Sequence, residues 1–300
     1  MPQGGYPIMV QPYQGLTRKR RISSLIGMMR VRNSALMGIA VVASEWVALK
    51  GPASLVEEIA GFFVAFFLTA GVMITNDYFD REVDRINRPE RPIPSGAVTG
   101  KQAIAFSAAL FAVGIASSVI GPWMPIAFPL AFFSVIVSLV YNAGLKKKGI
   151  LGNAIVSFNV ALPFIYGSIM VGRPGSLMND LFFAYAFVAN MAREVFKGIP
   201  DVTGDKSRGV RTFAVVHGTK IAGLVGFVLM ALDVACSPLP YFMGVAGIGY
   251  LIPLTVGDLL LLHSSFAMAK RPEPRVVDKE KGEMLLGMGV IILAFLLSPL

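Results

Sequence analysis

The stretch Asn76-Asp77-Tyr78-Phe79-Asp80-Arg81-Glu82-Val83-Asp84 follows directly on an apolar run of about twenty residues, and the junction between the two decides how this chain is read. A carboxylate at the end of a membrane-length helix is costly unless something positive neutralises it. Asn76, Asp80 and Asp84 stand at i, i+4 and i+8, near one face of a helix. Asp201 and Asp205, within Asp201-Val202-Thr203-Gly204-Asp205, repeat the i, i+4 step after a later apolar run. Convergent oxygen ligands of this kind suit Mg²⁺, and Mg²⁺ suits a diphosphate.

Composition fixes the solvent. The 300 residues are 55% hydrophobic and 15% charged, with a mean hydropathy of +0.66, against about 25% charged residues in soluble domains. The expected class is an all-α integral membrane protein. Apolar runs long enough to span give nine helices, at 33–49, 54–75, 102–120, 123–141, 150–171, 177–195, 214–236, 241–263 and 284–300. Pro163 and Pro253 interrupt two of them, which membrane helices tolerate when neighbours satisfy the freed carbonyls. Residues 1–21, polar at the start and rich in Pro and Gly, read as a flexible cytosolic tail. Residues 22–300 read as a single membrane domain with cap loops at 76–101 and 196–214. Cys236, the one cysteine, reads as a packing residue.

Charge tests the span count independently, because alternate loops must fall on opposite sides. With nine spans, 25 of the 27 basic residues fall on one side, and only Lys50 and Arg173 on the other. The expected arrangement is multi-pass in the cell membrane, with a cytosolic N-terminus, an external C-terminus and both acidic clusters on the cytosolic face. A basic rim beside anionic lipid explains the net charge of +9 without nucleic acid, for which no recognition module is present.

After the first cluster, Arg85-Ile86-Asn87-Arg88-Pro89-Glu90-Arg91-Pro92-Ile93-Pro94-Ser95-Gly96 carries three prolines that stiffen the loop and hold Arg88 and Arg91 in place. Lys206, Arg208 and Arg211 follow the second cluster. Arginine forks and ammonium groups with metal between them are equipment for holding a diphosphate. One such loop alone is more simply a solvated juxtamembrane segment, but two matched loops on one face favour a site. A cation transporter is the remote alternative, although its acids would sit at mid-span. Tyr141 and Lys146 end the fourth span, where an interfacial tyrosine before a positive stop is the plainer reading. Arg30 and Asn33 open the first span, with Asn33 also readable as a helix cap. His217 and His263 lack acids or cysteines at ligand spacing and read as structural.

These residues resemble the UbiA superfamily of intramembrane prenyltransferases. Asn76, Asp77, Asp80 and Asp84 match its N-D-x-x-D-x-x-x-D motif, Asn87 through Gly96 match the trailing N-R-P-x-R-P-I-P-S-G, and Asp201 and Asp205 match D-x-x-x-D. The resemblance implies nine helices around a central cavity open to lipid. It also implies Mg²⁺ held by Asn76, Asp77, Asp80, Asp84, Asp201 and Asp205 against an isoprenyl diphosphate, with Asp80, Asp84, Asp201 and Asp205 central to catalysis. Arg30, Asn33, Arg88, Arg91, Tyr141, Lys146, Lys197 and Arg208 become candidate substrate contacts. One departure is visible: Leu145 stands where the family commonly has a lysine four residues after the tyrosine, and Lys146 follows. The run Asn190-Met191-Ala192-Arg193-Glu194-Val195-Phe196-Lys197 is similar to the archaeal branch that transfers geranylgeranyl, from geranylgeranyl diphosphate, to geranylgeranylglyceryl phosphate. Gly198 and Pro200 replace two acids usual in that branch, and an aromatic acceptor for quinone synthesis is the alternative.

Overall fold

The computed structural model describes residues 18–207 and 209–299, and among them every regular element is helical. Thirteen α-helices follow in order: α1 Arg18–Met28, α2 Val31–Leu49, α3 Leu55–Phe79, α4 Arg81–Asn87, α5 Gly100–Ser117, α6 Met124–Ala143, α7 Ile150–Met170, α8 Leu177–Ser207, α9 Phe213–His217, α10 Thr219–Cys236, α11 Leu239–Phe242, α12 Leu251–Lys270 and α13 Pro274–Leu297. Among the described residues, six stretches are long and apolar enough to cross a membrane, namely Leu55–Phe79, Gly100–Ser117, Met124–Ala143, Ile150–Met170, Thr219–Phe242 and Ile248–Lys270. A seventh is counted if α1 and α2, bent by 44° to one another, form one broken span. The expected nine spans are thus met by this test only in part. Each of the other expected segments holds a helix, but α8 and α13 carry charged residues along their lengths: Asp180, Arg193, Glu194 and Lys197 in α8, and Lys279, Glu280, Lys281 and Glu283 in α13.

Neighbour contacts run α2 to α3, α3 to α5, α5 to α6, α6 to α7, α7 to α8, α8 to α10, α10 to α12 and α12 to α13. α13 returns to α2 and closes the ring. Small residues permit the close approaches, as expected where apolar burial does not distinguish a neighbouring helix from lipid. A Cβ on Gly226 would lie 2.7 Å from the Phe196 ring, and one on Gly71 2.5 Å from that of Phe111. Large side chains such as Leu36, Phe132, Phe133, Leu232, Ile252 and Leu286 face outward, which suits a hydrocarbon surround.

Four expectations change at the helix ends. Residues 18–21, placed in the tail, open α1. Asn33 does not cap α2: the helix begins at Val31, and the capping position is Arg30 in the left-handed conformation, φ 46° and ψ 55°. The segment 196–207, expected as cap loop, continues α8 through Pro200, so the second acidic motif sits on helix. Cys236, expected in packing, is exposed.

Candidate active site

The first acidic motif straddles the junction of α3 and α4, and the backbone explains its register. Asp80 N–H donates to Asn76 at 2.9 Å, Asp84 N–H to Asp80 at 2.8 Å, and Arg88 N–H to Asp84 at 2.8 Å. The i, i+4 ladder therefore passes unbroken through Asn76, Asp80 and Asp84 although α3 formally ends at Phe79. Their alignment on one face follows.

Cations from distant parts of the chain meet this face. Arg91, held in the proline-rich turn, donates to Asp84 Oδ2 at 2.7 Å and to Asp77 Oδ1 at 3.3 Å. Arg30 donates to the same Asp77 oxygen at 2.8 Å. Asp77 and Asp84 are both buried, where a carboxylate left without a positive partner would be costly, and Arg91 serves both. Lys146, in the short helical turn Leu145–Lys147 after α6, pairs with Asp80. The turn is seated by Asn142, whose amide donates to Thr75 Oγ1 at 3.1 Å and to the Val72 carbonyl at 3.3 Å, one turn before Asn76. Asn33 and Arg88 are exposed and outside this group.

The turn after α6 also links the two motifs. On one side Lys146 reaches Asp80. On the other, Gly149 (φ 55°) lies so near the segment after the second motif that a Cβ there would meet the Arg211 carbonyl oxygen at 2.5 Å. Tyr141 lies within electrostatic reach of both Asp80 and Glu194. On α8, Asp205 is buried and Asp201 exposed. Lys197 donates to Glu194 at 2.6 Å, and Arg193 to the same oxygen at 3.3 Å. Arg208 lies outside the described residues.

Two features were missed in the sequence. Glu194, its side chain 11% exposed, gathers Arg193 and the candidate contact Lys197, and no role was expected of it. The i+3 spacing to Lys197 was the available signal. His263, read as partnerless, has Nδ1 2.7 Å from Glu283 Oε1, and Glu280 joins them in a group whose ligand atoms lie within 4.8 Å of one another. Its acids come from α13, seventeen and twenty residues on, beyond any local spacing rule.

An acidic helical face met by arginine and lysine at one end of a ring of apolar helices, several of them long enough to cross a membrane, defines the class: a multi-pass membrane protein with a charged site at the bundle's end. The chain belongs to the UbiA prenyltransferase family, whose model matches residues 36–289. It is 36% identical to the digeranylgeranylglyceryl phosphate synthase of Thermococcus kodakarensis over 92% of this chain and 98% of that protein. To the protein of the same name from Natronomonas pharaonis it is 37% identical, over 78% of this chain and 83% of the relative. Among solved structures, one described as a digeranylgeranylglyceryl phosphate synthase superimposes with a TM-score of 0.79 at 27% identity, covering 93% of this chain and 98% of the other. A UbiA homolog from Archaeoglobus fulgidus, bound to GPP and Mg²⁺, shares the fold with a TM-score of 0.60 at 19% identity, over 88% and 99% of the two chains.

Proposed function

We propose that this chain transfers a geranylgeranyl group from its diphosphate to geranylgeranylglyceryl phosphate, forming an ether bond of a membrane lipid, with Mg²⁺ at the acidic face. The observation that carries this reading is the meeting of Asp77, Asp80 and Asp84 with Arg91, Arg30 and Lys146 at one end of the bundle. Carboxylates for a metal and cations for a diphosphate stand together there. The names of the relatives supply the acceptor.

The donor set fits Mg²⁺: the Asn76 amide and the carboxylates of Asp80, Asp84, Asp201 and Asp205 are all hard oxygen ligands. Bound there, Mg²⁺ would neutralise charge on the departing diphosphate. Asp77, whose Oδ1 takes both Arg30 and Arg91, serves as the anchor that fixes the two guanidinium groups. When donor binds, Lys146 turns its ammonium from Asp80 toward a phosphoryl oxygen, while Arg91 keeps its fork near the same charge. The allylic C–O bond breaks with its electron pair on the diphosphate, the acceptor hydroxyl oxygen bonds the allylic carbon, and the hydroxyl proton leaves with the released diphosphate. The Tyr141 ring lies beside the developing cation. Apolar helix walls keep water from that carbon. In this reading the chain crosses the membrane nine times, α8 and α13 included, with the N-terminus and the acidic face cytosolic and the C-terminus external, and the charge distribution between loops supports it.

The test is product formation from labelled geranylgeranyl diphosphate by purified protein, with geranylgeranylglyceryl phosphate in one arm and a hydroxylated aromatic carboxylate in the other. Asp80→Asn and Asp201→Asn are expected to lower turnover by about 10²-fold or more, as is removal of Mg²⁺ by chelation. Full activity in either variant overturns the metal assignment. Product in the aromatic arm alone overturns the acceptor.

A further inference from the structure

Tyr78, Arg81 and Arg85 stand at i, i+3 and i+7 on the same helical stretch as the acidic motif, turned about a third of a turn away from Asp80 and Asp84. That second face lines a pocket of about 820 Å³, closed on the other side by the first turns of α5, where Lys101, Ile104 and Ala105 share a face at i, i+3 and i+4. None of these residues belongs to the reacting group described above.

The pocket's charge is unbalanced. Arg81, Arg85 and Lys101 all line it. The nearby acid is Glu82, which pairs with Arg85 at 2.7 Å and Arg81 at 3.5 Å and is itself 61% exposed. Arg81 is fixed before any ligand arrives: it donates to the Tyr78 carbonyl at 2.8 Å, and its guanidinium lies 4.3 Å from the centroid of the Tyr78 ring. A guanidinium held in place with surplus positive charge around it is a receptor for an anion.

Depth says which kind of anion. Tyr78 ends the span Leu55–Phe79, and Lys101 begins the span Gly100–Ser117, so the cations lie where two membrane helices leave the hydrocarbon. One turn deeper on α5 the lining becomes Ile104 and Ala105, and Ile104 is exposed on the outside of the bundle. Polar above and apolar below, open toward lipid, the pocket matches a molecule with an anionic head and an aliphatic tail. A free anion would make no use of the lower wall. The volume exceeds what a phosphate alone would fill and suits a headgroup with its glycerol.

We propose that this pocket binds the headgroup phosphate of a glycerophospholipid of the surrounding bilayer, at a site separate from the reacting one. The bound phosphate would tie α4 and the turn at 88–99 to the head of α5, bracing from behind the helix that carries Asp80 and Asp84. Basic pockets between membrane helices are well suited to such headgroups.

The experiment compares thermal unfolding of the delipidated full chain in vesicles of phosphatidylcholine alone and of phosphatidylcholine with phosphatidylglycerol. The expected result is a midpoint several degrees higher with the anionic lipid, lost in Arg81→Gln/Arg85→Gln/Lys101→Gln and reduced in Lys101→Gln alone, a change at an exposed position that leaves folding intact. Lys270→Gln/Arg271→Gln/Arg275→Gln, which removes three exposed cations at the α12–α13 connection, is expected to keep the shift. Equal loss in that control, or no shift in the native chain, overturns the proposal. An equal shift from inorganic phosphate in neutral vesicles, at matched ionic strength, makes the pocket a free-anion site and likewise overturns it.

Discussion

At the scale of single residues, Arg91 holds two buried carboxylates that repel one another, Asp77 and Asp84, and does so with one nitrogen at 3.3 Å and 2.7 Å. A lysine there would keep the charge but lose the planar fork and its fixed reach. Under the metal assignment proposed above, Arg91→Lys is therefore expected to lower turnover by about ten- to hundredfold, the usual size of a lost contact supporting a metal ligand. Steady-state assay with labelled donor reads it, and unchanged turnover would show that the fork is dispensable. Arg91 was legible because prolines flank it in the sequence. Its partners were not: Arg30 and Asp77 are 47 residues apart, Lys146 and Asp80 66 apart, and no local spacing encodes such meetings. Nor did the residue type reveal the left-handed backbone of Arg30, since arginine has no preference for that region. The kink between α1 and α2 falls there, and the ion pair with Asp77 is what the kink positions.

At the scale of elements, one polar knot holds three helices together inside the bundle. Ser44 on α2 donates to the Phe164 carbonyl on α7 at 2.5 Å, and the Asn179 amide on α8 donates to that carbonyl at 3.0 Å and to the Ser44 carbonyl at 2.9 Å. Such bonds require close backbones, and Gly167 provides them: a Cβ there would lie 2.6 Å from the Ser44 Cβ and still nearer the Val41 carbonyl oxygen. Gly167→Ala is expected to destabilise the fold by about 1–3 kcal/mol through overpacking. Gly282→Ala, with nothing within 4 Å, is expected to be neutral or slightly stabilising. Thermal unfolding in detergent compares the pair, and equal midpoints would sink the packing argument. The run of apolar residues located the helices but not their ends, because hydropathy falls to zero wherever charged residues begin, whether or not the helix stops. α8 is the clear case: its apolar part ends near Val195 while its hydrogen-bonded helix runs on to Ser207 and carries Asp201 and Asp205 with it.

For the whole molecule the open variable is orientation, and charge is the force that fixes it. Arg18 through Arg32, the loop around Arg88, the lysines after Gly144, the segment around Lys206 and the connection at Arg271 hold nearly all the basic residues of the chain. Translocating any of these loops would move several cations across the membrane at once, each opposed by the transmembrane potential. Under the nine-crossing arrangement proposed above, Glu90 and Arg173 are exposed at opposite faces. In a Cys236→Ser background, needed because the native cysteine is itself exposed, Glu90→Cys is expected to react with an impermeant thiol reagent only after the membrane is opened. Arg173→Cys is expected to react in intact cells. Labelling of both from the same side would mean an odd number of crossings is misassigned between residues 90 and 173. Because the acidic helix and the phospholipid pocket lie at one end of α3 and α5, labelling of Glu90→Cys in intact cells would move both to the outer face together.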